Sequence, residues 1–134
     1  MRVGQELVGE VGTGLLVLLG VARADGPGQA ERLAVKVARL RIFEGDDGRF
    51  DRSLLDVGGS ALVVSQFTLI ADTARGNRPG FSEAAPPEQA EPVYERFCDE
   101  LRSLGAPVET GVFGARMDVE LVNDGPVTIV LDLS

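Results

Sequence analysis

Two apolar runs in one short chain constrain the fold more than any other feature. Residues 15–22 read Leu-Leu-Val-Leu-Leu-Gly-Val-Ala, and residues 61–70 open with Ala-Leu-Val-Val before polar residues appear. Runs this short and this apolar predict buried strands, the second reaching Ile70. Between them Leu33, Val37 and Leu40 recur at helix spacing beside Ala30, Ala34 and Ala38, which predicts a helix over 30–43. Gly26-Pro27-Gly28 breaks the chain before it, and residues 44–48 are a polar turn. Residues 50–57 read as partly extended, ending in Gly58-Gly59.

Pro86-Pro87 suits a helix start, and Val93, Phe97, Leu101 and Leu104 then share one face until Gly105. Pro92 falls in the second turn and argues against an unkinked helix. Residues 117–121 alternate as a half-buried strand, Asn123-Asp124-Gly125-Pro126 is a turn, and residues 127–131 form a last strand pairing back as a hairpin. The sum is about six strands and two helices in one domain over 1–134. We expect an α+β, mixed-sheet domain and not a doubly wound nucleotide fold.

Composition removes several chemistries. The 134 residues include no histidine, which excludes Ser-His-Asp and Cys-His catalysis and zinc motifs built on histidine. The single Cys98 forms no internal disulfide or cysteine-cluster metal site, and it reads as small core filler. Thus neither a metal nor a cofactor is expected. No G-x-G-x-x-G, P-loop or G-x-S-x-G pattern occurs. The absence of Trp, with aromatics at 5%, argues against a base-stacking platform. A net charge of −8 opposes bulk binding of DNA or RNA. Lys36 is the only lysine, so a local basic patch for RNA must be made of arginine.

The run 15–22 is too short for a membrane helix, which needs ~20 residues. Ala22-Arg23-Ala24 resembles a signal-peptide cleavage site, but Glu6 and Glu10 stand where a signal is basic. A cytoplasmic protein follows, and an unpaired cysteine suits a reducing compartment.

Three constellations could carry chemistry. Ser65-Gln66-Phe67-Thr68 interrupts an apolar strand, either lining a pocket or turning to solvent. In a strand, Ser65 and Phe67 share one face and Gln66 and Thr68 the other. Thr68 would need a base to act as a nucleophile, and no histidine exists to serve. Asn123-Asp124-Gly125-Pro126-Val127-Thr128 is either a hairpin turn or a stiff backbone surface that another molecule approaches closely. Arg75-Gly76-Asn77-Arg78-Pro79-Gly80-Phe81 is either a solvated loop or a grip on phosphate or a terminal nucleotide.

These segments, in register, resemble the D-aminoacyl-tRNA deacylases. The residues that carry the resemblance are Ser65-Gln66-Phe67-Thr68-Leu69, Arg78-Pro79-x-Phe81-Ser82-Glu83-Ala84-Ala85-Pro86, Gly111-Val112-Phe113-Gly114-Ala115-x-Met117, and Asn123-Asp124-Gly125-Pro126-Val127-Thr128. The match runs from about Gly9 to Leu131. It implies a mixed-sheet, barrel-like fold with two helices and a homodimer that hydrolyses the ester joining a D-amino acid, or glycine, to tRNA. The family's Ser-Gln-x-Thr motif falls on Ser65, Gln66 and Thr68, and its Gly-cis-Pro motif on Gly125 and Pro126, which would reach into the partner's pocket.

The resemblance places Ser65, Gln66, Phe67 and Thr68 at the catalytic centre, with main-chain groups near Phe67 and Thr68 facing the oxyanion. Gly125, Pro126, Arg75, Arg78 and Met117 would bind substrate. The family usually opens with a strand bearing Gln-Arg-Val ahead of the part matching Val3 to Gly12. Its absence here would leave a sheet edge open and weaken fold, dimer and activity. A threonyl-tRNA synthetase-type editing domain and a non-catalytic dimeric binding module are the competing readings.

Overall fold

Gly14 explains why the central strands meet where they do. A Cβ there would lie 1.8 Å from the Ser60 carbonyl oxygen, so only glycine admits the neighbouring backbone. From that point β3 (Gly14–Leu19) runs parallel to β6 (Ser60–Ser65), from Gly14 opposite Ser60 to Leu19 opposite Ser65. A third parallel strand, β7 (Val108–Thr110), pairs with β6, so the sheet order is β3-β6-β7. The computed structural model describes residues 1–133.

Two helices connect these strands and share one face of the sheet. α1 (Pro27–Arg39) starts on Pro27, and the Gly26 amide donates to Gln29 Oε1 at 2.8 Å. Its buried stripe is Ala30, Ala34, Val37 and Ala38, mostly alanine, so α3 (Pro87–Ser103) packs closely on it. Arg96 of α3 reaches Glu31 of α1 at 3.0 Å. α3 buries Ala90, Val93, Tyr94, Phe97, Cys98 and Leu101 and continues through Pro92, whose ring is exposed. Both helices lie against Ala61, Val63 and Leu19. The opposite face, Leu62 and Val64, is covered by Met1, Val8, Val11, Met117 and Val119. β6 is therefore buried on both sides, the reason its sequence is a continuous apolar run.

The remaining elements are small. β1 (Arg2–Val3) and β2 (Glu6–Leu7) form an antiparallel pair, as do β4 (Phe43–Glu44) and β5 (Phe50–Arg52). The architecture is mixed α and β with several small sheets, as the sequence predicts. Two long helices on the same face leave no crevice of the doubly wound kind.

Several expectations are corrected. Residues 50–57 contain a third helix, α2 (Leu54–Val57), nucleated by Ser53. Ser53 Oγ accepts from the Asp56 amide at 3.2 Å, and Asp56 returns a bond to the Ser53 amide at 2.9 Å. The hydrogen bond from the Ser53 backbone amide first, and then that from the Ser53 side chain, hold the Asp56 carboxyl below its ordinary value. The second strand stops at Ser65, not Ile70, because its partner β3 ends at Leu19. Residues 117–121 and 127–131 form no strand and no hairpin; among the described residues their segment makes one antiparallel bridge, Asp118 to Arg2. Ile129 and Val130 instead stay exposed, paired with no strand. β5 falls in the segment read as partly extended, whereas β1, β2, β4 and β7 escaped the sequence reading because two- and three-residue strands carry no measurable alternation.

Candidate active site

The end of β6 is where the chain changes from apolar ladder to exposed turn. The Gln66 amide donates to Leu19 O at 2.8 Å, the last bond to β3. A single 3₁₀ turn follows over Phe67–Leu69. The Leu69 amide closes to Gln66 O at 3.2 Å and the Ile70 amide to Phe67 O at 2.9 Å. Among the described residues, the amides of Phe67 and Thr68 donate to no protein acceptor. A short helical turn leaves its first amides unpaired in this way. The alternation expected of a strand is replaced: Phe67, Thr68 and Leu69 are all exposed, and Gln66 Nε2 donates to Thr68 Oγ1 at 2.5 Å.

The segment 72–80 loops out beside this turn. Asp72 and Gly80 exchange backbone bonds of 2.8 Å in both directions, closing the loop at its base. Arg75 and Arg78 lie exposed on it, and among the described residues neither enters an ion pair. The Phe67 and Phe81 rings meet edge to face, with centroids 5.1 Å apart. Thus the structure brings together Ser65, Gln66, Phe67, Thr68 and the base of the arginine loop.

The other predicted site residues lie elsewhere. Met117 is half-buried on the second face of the sheet with Leu62 and Val64, and it accepts from the Val112 amide through sulfur at 3.4 Å. Gly125 and Pro126 are exposed and joined by a cis peptide bond. Asn123 shapes their loop by accepting from the Val127 amide at 2.9 Å and donating to Thr128 Oγ1 at 3.1 Å. Among the described residues no hydrogen bond links this loop to Ser65–Thr68 of the same chain.

Sequence reading missed Phe81 as a neighbour of the turn and Arg23 as a clasp on the segment that follows Phe81. The Arg23 guanidinium donates to the Ser82 carbonyl, 59 residues away. Such separation leaves no periodic signal. Cys98 is buried as expected, and burial pushes its thiol up to about 11, so it is no nucleophile. No group of three or more metal-ligating side chains converges among the described residues. No helix among them is long and apolar enough to cross a membrane.

Parallel strands that end at an exposed turn with free amides define a place where backbone donors can meet an anionic oxygen. The model of the D-Tyr-tRNA(Tyr) deacylase family matches residues 1–132. The D-aminoacyl-tRNA deacylase of Roseiflexus sp. (strain RS-1) is 63% identical over 132 residues, covering 98% of this chain and 85% of that protein. The D-aminoacyl-tRNA deacylase of Thermomicrobium roseum is 64% identical over 126 residues, covering 94% of this chain and 82% of that protein. The solved structure of c-Myc DNA Unwinding Element Binding Protein is 40% identical, with a TM-score of 0.93, covering 99% of this chain and 91% of that one. The protein is thus a hydrolase acting on ester bonds. Within that class, the chain belongs to the D-Tyr-tRNA(Tyr) deacylase family.

Proposed function

We propose that this protein proofreads translation by hydrolysing the ester of D-aminoacyl-tRNA, and of glycyl-tRNA, through main-chain groups. The observation that carries the reading is the pair of free amides of Phe67 and Thr68 on the exposed turn ending β6. Water attacks the ester carbon, the carbonyl oxygen that gains charge is received by these two donors, and the bond to the ribose oxygen then breaks as that oxygen leaves with the water's proton. One such donor is worth ~10²–10³ in rate. The ester is already activated, and the neighbouring ribose 2′-hydroxyl helps place the water, so no histidine is needed. Gln66 fixes the Thr68 hydroxyl, which shapes the pocket.

The site is read as composite. Gly125 and Pro126 of one copy would offer their carbonyls to the α-amino group at the other copy's turn. Exposure of Leu121 (58%), Val122 (92%) and Val130 (88%) around that loop favours burial against a second copy. A rigid carbonyl pair accepts the amino group in one orientation. A D side chain then points to open space, an L side chain points into main chain, and glycine is admitted. Arg75 and Arg78 would hold the tRNA end. The net charge of −8 fits weak, quickly released tRNA and no DNA partner, and the cytoplasm is where that substrate is made.

The test is deacylation of D-Tyr-tRNA, Gly-tRNA and L-Tyr-tRNA by the purified protein, with its mass measured in solution. Hydrolysis of the first two by a dimer bears the reading out. Cleavage of L-Tyr-tRNA at a comparable rate overturns the chirality argument, and an inactive protein points to a binding module.

A further inference from the structure

The turn ending β6 has little of its own to hold it. It is three residues long, buries no side chain, and leaves the Phe67 ring 56% exposed. A lone 3₁₀ turn in solvent frays readily. Two neighbours confine it. On one side Gly20 fits so closely that a Cβ there would lie 3.0 Å from Leu69 Cβ. Phe81 also stands against it, its ring and that of Phe67 meeting edge to face with planes at 73°.

Phe81 is itself bracketed by two clasps. Immediately before it, Gly80 exchanges backbone bonds of 2.8 Å with Asp72. Immediately after it, the Arg23 side chain donates to the Ser82 carbonyl, and the Arg23 amide donates to Glu83 O at 2.9 Å. The Ala85 amide adds a bond to Val21 O at 2.9 Å. These bonds tie the segment after the arginine loop to the chain that leaves β3. The loop 71–80 is exposed at every residue, yet the backbone on both sides of Phe81 is tied down and Phe81 itself is half-buried.

We propose that Phe81 is a positioning residue for hydrolysis, its ring holding the Phe67 turn so that the Phe67 and Thr68 amides stay aimed at the oxyanion. The inference rests on the oxyanion reading above. Donors contribute to rate only when their direction is set before the charge develops. Phe81 touches no reacting atom and acts through Phe67 alone.

The experiment is steady-state deacylation of D-Tyr-tRNA by the intact protein carrying Phe81→Ala, Phe81→Tyr, Phe67→Ala, or both alanines. Phe81→Ala should lower kcat by about tenfold with KM changed less than about twofold, because the lost alignment is felt only in the transition state. Phe81→Tyr, which keeps the ring edge, should restore kcat. The double variant should be no slower than Phe67→Ala, since either change breaks the same contact. Hydrogen exchange at Leu69 and Ile70 should quicken in Phe81→Ala. If Phe81→Ala does not fold, Phe81→Leu keeps the bulk and should show the same fall in kcat. Unchanged kcat, a rise confined to KM, or additive losses in the double variant would overturn the proposal while the hydrolytic reading stands. A wild-type protein that cleaves no D-Tyr-tRNA would overturn both.

Discussion

Gln66 Nε2 donates to Thr68 Oγ1 at 2.5 Å across the turn that ends the central strand. The hydroxyl accepts from an amide, and among the described residues it donates to no base. No histidine exists in the chain to take its proton. Thr68→Ala should therefore keep measurable deacylation, slower by no more than about tenfold, with no aminoacyl-enzyme detected by mass spectrometry. A covalent adduct on Thr68 in the wild type would contradict this.

Gly125 lies at φ +147°, and a Cβ there would meet Val127 Cγ2 at 2.7 Å and Val127 N at 2.8 Å. Gly125→Ala should reshape the loop and lower kcat/KM for D-Tyr-tRNA by on the order of 10² or more, leaving the melting temperature nearly unchanged because the loop is exposed. If loss of activity tracked loss of fold, the loop would be structural. In the wild type, L-Tyr-tRNA should be spared by on the order of 10³-fold.

Arg75 and Arg78 sit on an exposed loop without carboxylate partners among the described residues. Changing both to alanine should raise KM several-fold, roughly, and flatten its salt dependence while kcat holds. The check is a set of kinetic titrations from low to moderate salt. A fall in kcat at constant KM would place these arginines in the chemistry.

Tyr94 Oη donates to Val63 O at 2.9 Å inside the core, and burial pushes its phenol upward. Tyr94→Phe removes that donor and should destabilise the fold by about 1–3 kcal/mol in urea unfolding. Beside it, burial raises Cys98 from its ordinary 9.0 to about 11. The folded state keeps this proton where the unfolded state releases it. Stability from this group is thus full below pH 9 and is lost as pH rises towards 11. A thiol reagent at pH 8 should modify Cys98 only as fast as the protein opens. Rapid modification without unfolding would show an exposed thiol.

Local pattern carried much of this protein. The apolar run from residue 15 and the alanine stripe of α1 were legible because burial imposes its period on sequence. So was the start of α3 at Pro87. Ser53 and Asp56, three apart, held a capping signal that reading the segment as extended overlooked.

What tertiary structure decided was how far each pattern runs. Residues 66–70 read as a continuation of the strand, yet β6 ends where β3 ceases to accompany it, and a turn with two free amides results. Residues 127–131 look like a strand too, but strand character requires a paired neighbour, and in the folded chain they pair with none. The contact of Phe81 with Phe67 and the clasp of Arg23 on Ser82 depend on segments distant in sequence, whose meeting is set by sheet register and helix packing. A composition or a period records how each segment is buried. It holds no record of which segment lies beside it, because that choice is made only when the packed faces close together.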